Sequence, residues 1–316
     1  MDFMRTLFLK QVIAFLLLAV CTQAGAGAVA DLVTNYRSVS AHGKSTTSLD
    51  IDNDTLLLRH NDGFYTSGLG ILQQYGVHDA DRLSVVGWRV GQKLYTASDI
   101  KIAPENLAPS DHPYAGWLYG GFFKETHYAD GKHGKLGLDI GCLGPCAGGE
   151  WTQTNLHRVI DQPLPVGWST QVRNELGLVL YGETSPVRWT PLPSLDITPS
   201  LHGRFGNIFT DAGAGLTVRA GQLNLLPDQP TLHAFVRVDG RAVAYNASLQ
   251  GGYFSSQNPH TVRPKRLVGE AEVGLVWQQA AYGLRASVVR RGNEISALTN
   301  ASGAENFARL QFSYSP

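Results

Sequence analysis

From Ser48 to Tyr314 the chain alternates apolar and polar residues over long segments bounded by turn residues. In one segment Leu267, Gly269, Ala271, Val273, Leu275 and Trp277 share a face opposite Glu270 and Glu272. In another, Leu232, Ala234, Val236 and Val238 oppose His233, Phe235, Arg237 and Asp239. In the last, Ala308, Leu310, Phe312 and Tyr314 oppose Arg309, Gln311 and Ser313. A period of two means strands. The pattern predicts strands at 48–59, 65–76, 82–95, 113–128, 133–143, 170–183, 188–202, 207–220, 231–243, 265–279, 281–292 and 305–314, about twelve in all.

These segments exceed the five or six residues of common sandwich strands. They suit the roughly nine to eleven residues that cross a bilayer at a tilt. Charge on one face and apolar groups on the other is the signature of a barrel with a polar interior. The connections agree. Those at 96–112, 144–169, 244–264 and 293–304 are long, and the intervening ones are mostly short, as in barrels with short periplasmic turns and long external loops. The short connections at 60–64 and 203–206 and the ten-residue one at 221–230 break the rule. Aromatics near strand ends (Tyr65, Tyr75, Trp88, Tyr95, Tyr114, Trp117, Tyr119, Tyr181, Trp189, Tyr314) suit interfacial girdles and core packing equally well. The expected fold is all-β: an antiparallel transmembrane β-barrel of about twelve strands with a short helix in an external loop.

The N-terminus reads as an export signal over residues 1–30, with the barrel domain at 31–316. Arg5 and Lys10 precede an apolar run from Val12 to Val20, and Ala28-Val29-Ala30 is a small-x-small cleavage site. Cys21 as a lipidated residue is the less favoured alternative, because bulky Val20 precedes it. Residues 31–47 are polar with no clear period. In an exported protein Cys142 and Cys146 can pair or stay reduced. Lys+Arg and Asp+Glu are equal at 26 each, which removes any global electrostatic case for nucleic acid.

Candidate chemistry lies at three places. Asp50, Asp52 and Asp54 sit two apart on the first strand, which points them to one side, the lumen. Clustered carboxylate oxygens suit a hard cation such as Ca²⁺ or a structural acidic lumen. Thr66 opens the second strand with a hydroxyl. Within the run from Gly144 to His157, the stretch after Pro145 has helical character, and Pro163 and Pro165 close it. There Gln153 and His157 share a helical face, with Asp161 one turn further, so either can hold the imidazole in one tautomer for use as a base. Without that role, His157 is a solvated loop histidine. No Gly-x-Ser-x-Gly nucleophile elbow occurs in the chain.

Asn53-Asp54, Tyr65-Thr66-Ser67-Gly68, Pro113-Tyr114-Ala115-Gly116-Trp117 and the Gly144-Pro-x-Ala-Gly-Gly…Gln153…His157 run stand in this order. Together they resemble the outer-membrane lipid A 3′-O-deacylase family over nearly all of the mature chain. The resemblance implies a twelve-stranded barrel in the bacterial outer membrane, with its site between the barrel wall and a loop helix at the outer leaflet. It also implies Ca²⁺-dependent removal of the ester-linked 3′ acyl group. His157 matches the general base, and Asn53, Asp54 and Thr66 match other site positions, with Asp54 and Asn53 as the metal ligands. Lys101 is the nearest match to a family lysine after the third strand, displaced by about one residue. His112 stands where many relatives have arginine, and the terminal Pro316 departs from the usual aromatic end. Arg263, Lys265 and Arg266 are candidates for lipid A phosphates or a solvated basic rim. Lipid A or lipopolysaccharide is the expected partner of a monomer. The rivals are a silent lipid-binding or porin-like barrel, an outer-membrane esterase or phospholipase with another substrate, and a soluble sandwich.

Overall fold

The alternation survives strand by strand in a computed structural model, which describes residues 26–57 and 63–316. The elements are α1 (Ala26–His42), β1 (Lys44–Asn53), β2 (Phe64–Asp79), β3 (Arg82–Thr96), β4 (Ala115–Tyr128), β5 (His133–Leu143), α2 (Gly149–Val159), β6 (Glu175–Ser185), β7 (Trp189–Leu192), β8 (Leu195–Gly206), β9 (Phe209–Gln222), β10 (Thr231–Asn246), α3 (Ala247–Gln250), β11 (Leu267–Gln278), β12 (Tyr282–Arg291), α4 (Asn300–Gly303) and β13 (Glu305–Tyr314). Neighbouring strands pair antiparallel, β1 joins β13, and β6 pairs with β8, which closes the sheet into a barrel. Closure leaves no free edge among the twelve wall strands.

The extra strand is β7, which pairs only with β8. The expected strand 188–202 is in fact two. Pro193 and Ser194 form a turn, and Pro191 sits where an edge strand tolerates a missing N–H. Two other boundaries moved at the N-terminal side. β1 begins at Lys44 and ends at Asn53, so Asp54 is off the strand in a bend before a 3₁₀ turn at Thr55–Leu57. The polar lead-in at 31–47 is mostly helix α1. The apolar run of the expected export signal and Cys21 lie outside the described residues, as do positions 58–59 of the expected first strand.

Outward residues form the lipid-facing band. On β10, Leu232, Val236 and Val238 are about half exposed while His233 and Phe235 are buried. Ile71, Val90, Phe122, Ile140, Leu275 and Phe312 continue the band on other strands. The aromatics divide. Trp88, Trp189 and Tyr314 face outward, but Tyr65, Tyr95, Tyr114 and Trp117 are buried. For these four the core reading holds.

The lumen is filled by ion pairs and rings. Asp52 accepts from Arg309 Nε at 3.0 Å and from the Tyr65 hydroxyl at 3.0 Å. Asp50 accepts from Gln311 Nε2 at 2.8 Å. Glu272 meets Arg285 at 2.9 Å, Glu270 meets Arg291 at 2.8 Å, and Asp139 takes Arg89 with two bonds. Above them Tyr65, Tyr95, Trp117, Phe209 and Phe307 pack into one core cluster, with the Arg291 guanidinium over the Tyr65 and Phe307 rings at 5.1 and 5.2 Å. Pairing is what makes so many enclosed charges tolerable.

Candidate active site on the outer wall

The site elements gather where four consecutive strand ends reach the long-loop rim. β3 shows how they are arranged. Tyr95 points into the core cluster, and Lys93 lines the lumen cavity. By alternation Gln92 and Leu94 point the other way. Gln92 Nε2 donates to the Ala147 carbonyl at 2.7 Å, which anchors the turn before α2. Leu94 packs with Tyr114 and Trp168. The helix α2 therefore lies against the outer face of the wall, at β3 and β4.

Two glycines permit that approach. A Cβ at Gly149 would come within 2.6 Å of the Trp168 ring and 2.9 Å of Leu94, and one at Gly116 would come within 3.0 Å of the Ala147 Cβ. The glycines of the Pro113–Trp117 and Gly144–His157 runs are thus two sides of one contact. Trp168 locks it. Its indole N–H donates to Gln153 Oε1 at 2.9 Å, and its ring meets Tyr114 edge-on at 5.2 Å. Cys142 and Cys146 are joined in a disulfide across the exit of β5. The Asn174 side chain accepts from the Cys146 N–H at 2.8 Å, and Val166 N donates to the Ile100 carbonyl at 3.0 Å, so the third external loop is docked on the second.

His157 is buried on the same helical face as Gln153. Its Nδ1 lies 2.6 Å from the Pro163 carbonyl. A carbonyl only accepts, so Nδ1 carries the proton, and Nε2 of the neutral ring keeps a lone pair. Neither residue expected to steady the ring makes this bond. Gln153 spends its oxygen on Trp168, and its Nε2 is buried with no partner among the described residues. Asp161 is exposed, with φ 53°, and terminates the helix: Gln162 N donates to the His157 carbonyl at 2.8 Å in a Schellman closure. The main-chain partner from Pro163 was hidden in the sequence, where that proline reads only as a helix stop. Trp168 had a faint signal, since a tryptophan in a loop needs an acceptor for its N–H.

Thr66 is the additional residue of a β-bulge, because the pairing jumps from Tyr65↔Tyr95 to Ser67↔Leu94. Bulges re-aim side chains. Thr66 is buried, with its hydroxyl 2.7 Å from that of Thr96, which lies on the Leu94 face by alternation. Asn53 ends β1, and its Oδ1 accepts from Thr55 N at 2.8 Å. Asp54 is buried beyond the strand end, and Gly63 N and the Thr55 hydroxyl donate to its carboxylate at 3.3 and 3.4 Å. The expected trio of aspartates is therefore split: Asp50 and Asp52 serve the lumen, and Asp54 sits at the rim. Asp54 is not bound by strand alternation, so it and outward-pointing Asn53 can serve one side of the wall. Their donors are carboxylate and amide oxygens with a main-chain turn close by, the chemistry a hard dication takes; Asn53 Oδ1 keeps a second lone pair.

Lys101 is exposed on the turn after β3, and its main-chain N–H donates to Asp99 Oδ1 at 2.9 Å. No side-chain contact joins it to His157 among the described residues. His112 is buried, stacks on Tyr95 at 5.5 Å, and sits 2.6 Å through Nδ1 from the Pro113 carbonyl. Burial lowers its pKa below the ordinary imidazole value, which keeps it neutral. Asp111 fixes the loop beside it by accepting from the Ser98 N–H and hydroxyl, both at 2.8 Å. Of the basic trio, Arg266 donates to the Val243 and Ala244 carbonyls at 3.1 and 2.6 Å, while Arg263 is exposed.

Comparison with known proteins agrees with this architecture. The family model described as outer membrane protein LpxR matches residues 12–315. The solved structure of LpxR from Salmonella typhimurium superposes with a TM-score of 0.71 at 21% identity, covering 86% of this chain and 100% of that one. The β domain of the Bordetella autotransporter BrkA gives a TM-score of 0.49 at 11% identity, covering 87% of this chain and 99% of that one. No curated protein sequence matches the chain. Family and closed barrel together locate the protein in the bacterial outer membrane. With its family model matched over nearly the full length, the chain belongs to the LpxR family of outer-membrane proteins.

Proposed function

We propose that the protein is a lipid A 3′-O-deacylase, hydrolysing the ester that holds the 3′ acyl or acyloxyacyl group of lipid A in the outer leaflet. The observation that carries this reading is the LpxR family match over residues 12–315, together with the family motifs that run in order along the chain. A site on the outer wall suits a substrate embedded in the leaflet, because the ester then reaches α2 without entering the lumen.

Each residue has a task. His157 Nε2 takes the proton of a water as its oxygen attacks the ester carbonyl, and then returns it to the departing sugar oxygen. Pro163 holds the ring in the tautomer this needs. Gln153 presents a buried N–H one turn from His157, and such a donor calls for a partner in the loaded site, which we assign to the attacking water or the carbonyl oxygen. Thr66 orients polar groups beside them. Asp54, with Asn53, would hold Ca²⁺, which when bound supplies positive charge toward the oxygen that becomes anionic. Lys101 is on the rim, where an ammonium meets lipid A phosphates.

A porin-like role fits less well, since the aromatic cluster and ion pairs occupy the outer half of the lumen. The test is mass spectrometry of lipid A from Gram-negative cells making the protein. Loss of the 3′-linked group is expected. Unchanged lipid A, with heat-modifiable barrel present in the membrane, would refute the assignment. With purified enzyme, EGTA stops turnover and added Ca²⁺ restores it; turnover indifferent to both would remove the cation from the account.

A further inference from the structure

Far from the rim, near the short turn 129–132, the lumen holds a second cluster. Glu125 and His127 lie two apart on β4, and His133 and Lys135 two apart on β5, so all four share one face. The register sets His127 opposite His133 and Glu125 opposite Lys135. His127 Nε2 is 2.7 Å and His133 Nε2 2.8 Å from the carboxylate of Glu125, both to Oε1. The two imidazoles stack with centroids 4.5 Å apart, and Lys135 Nζ takes the other oxygen, Oε2, at 3.0 Å. All three donor atoms fall within 4.8 Å of one another.

This differs from the way the barrel treats five other lumen carboxylates. Asp52, Asp139, Asp211, Glu270 and Glu272 each face an arginine. Glu125 instead gathers two imidazoles whose Nε2 atoms converge on a single oxygen. Two histidines and one carboxylate are a donor set for a first-row transition dication, not for Ca²⁺, which takes oxygen ligands. Tetrahedral Zn²⁺ with bonds of about 2.0–2.2 Å separates its ligands by roughly 3.3 Å. The two nitrogen-to-oxygen spacings, 2.7 and 2.8 Å, are shorter than that by about half an ångström, and the 4.8 Å limit on all three atoms brackets it from above. The side chains are partly exposed, at 14% for Glu125, 20% for His127 and 16% for His133, which leaves water a fourth position.

We propose that Glu125, His127 and His133 form a Zn²⁺-type site at the periplasmic mouth of the barrel, stapling β4 to β5. Binding needs both imidazoles neutral and exchanges their shared hydrogen bonds for metal bonds. The Lys135 ammonium stays on Oε2, where it orients the carboxylate and weakens the attraction for the ion.

The test is Zn²⁺ titration of the full-length protein in detergent micelles after chelator treatment, with a chromophoric competitor and excess Ca²⁺ present. One Zn²⁺ per chain is expected, unaffected by Ca²⁺. His127→Ala and His133→Ala each abolish it, while His78→Ala, at an exposed histidine paired with Asp228, keeps it. Glu125→Gln preserves shape and weakens binding at least tenfold, and heat-modifiable mobility certifies the fold of each variant. Wild-type protein that binds no Zn²⁺, or folded variants that bind it undiminished, would overturn the site.

Discussion

The two faces of the wall use the same residue types for opposite ends. Inside, a set of carboxylates is matched to arginines: Asp52 with Arg309, Glu272 with Arg285, Asp139 with Arg89. Outside, at the rim, the polar groups are a histidine held by a main-chain carbonyl, a buried glutamine, a threonine on a bulge and an aspartate just past a strand end. The lumen network is built from long, rigid strand positions, and its charges are neutralised in place. The outer patch is built at strand ends and loops, where side chains can be aimed away from the regular pleat. Under the proposed function, stability and chemistry are separated by the thickness of one sheet.

That separation can be broken deliberately. The largest stability effect is expected from Arg309→Ala, which leaves Asp52 and Glu272 enclosed without a shared cation. The barrel should lose about 3–5 kcal/mol, read by denaturant unfolding in micelles. Deacylation measured under folding conditions should persist, since no outer-wall contact is touched. Loss of activity in a folded Arg309→Ala barrel would join the two regions that the account keeps apart.

Trp168→Phe acts on the other face. It removes the indole donor and leaves Gln153 Oε1 buried without it, a cost of about 1–3 kcal/mol borne by the α2 dock. Deacylation should fall by roughly tenfold while barrel unfolding in denaturant is unchanged. A drop in global stability with normal activity would reverse the assignment. The smallest effect belongs to Asp161→Gly. It relieves a left-handed residue at the helix end and should stabilise the loop by under about 1 kcal/mol, seen as slower proteolysis of the 144–174 loop. Activity should stay the same, because Asp161 is exposed and does not hold the His157 ring. A large loss there would restore it as the orienting carboxylate.

The barrel was legible because its cause is periodic. A bilayer outside and ion pairs inside force a two-residue repeat, and that repeat is written in β10, β11 and β13. Where the cause is local the text was harder to read. Pro193 and Ser194 split one expected strand, and Asn53 ended another early, because turn geometry outweighed the apolar pattern. The shared helical face of Gln153 and His157 was readable from their spacing. The Pro163 carbonyl was not, since main-chain partners have no residue type. Nor was the bulge at Thr66, which depends on the register with β3. Tyr65, Tyr95 and Trp117 show the limit of composition, because an aromatic at a strand end serves a girdle or a core and only the face decides.

The most direct test of the outer-wall account is the lipid A mass spectrum of cells making wild-type protein beside cells making His157→Ala at equal barrel levels. The account predicts loss of the 3′-linked acyl group with the wild type and intact lipid A with His157→Ala, a rate reduction of about 10²–10⁴, with heat-modifiable mobility unchanged. Equal deacylation by both proteins would contradict it.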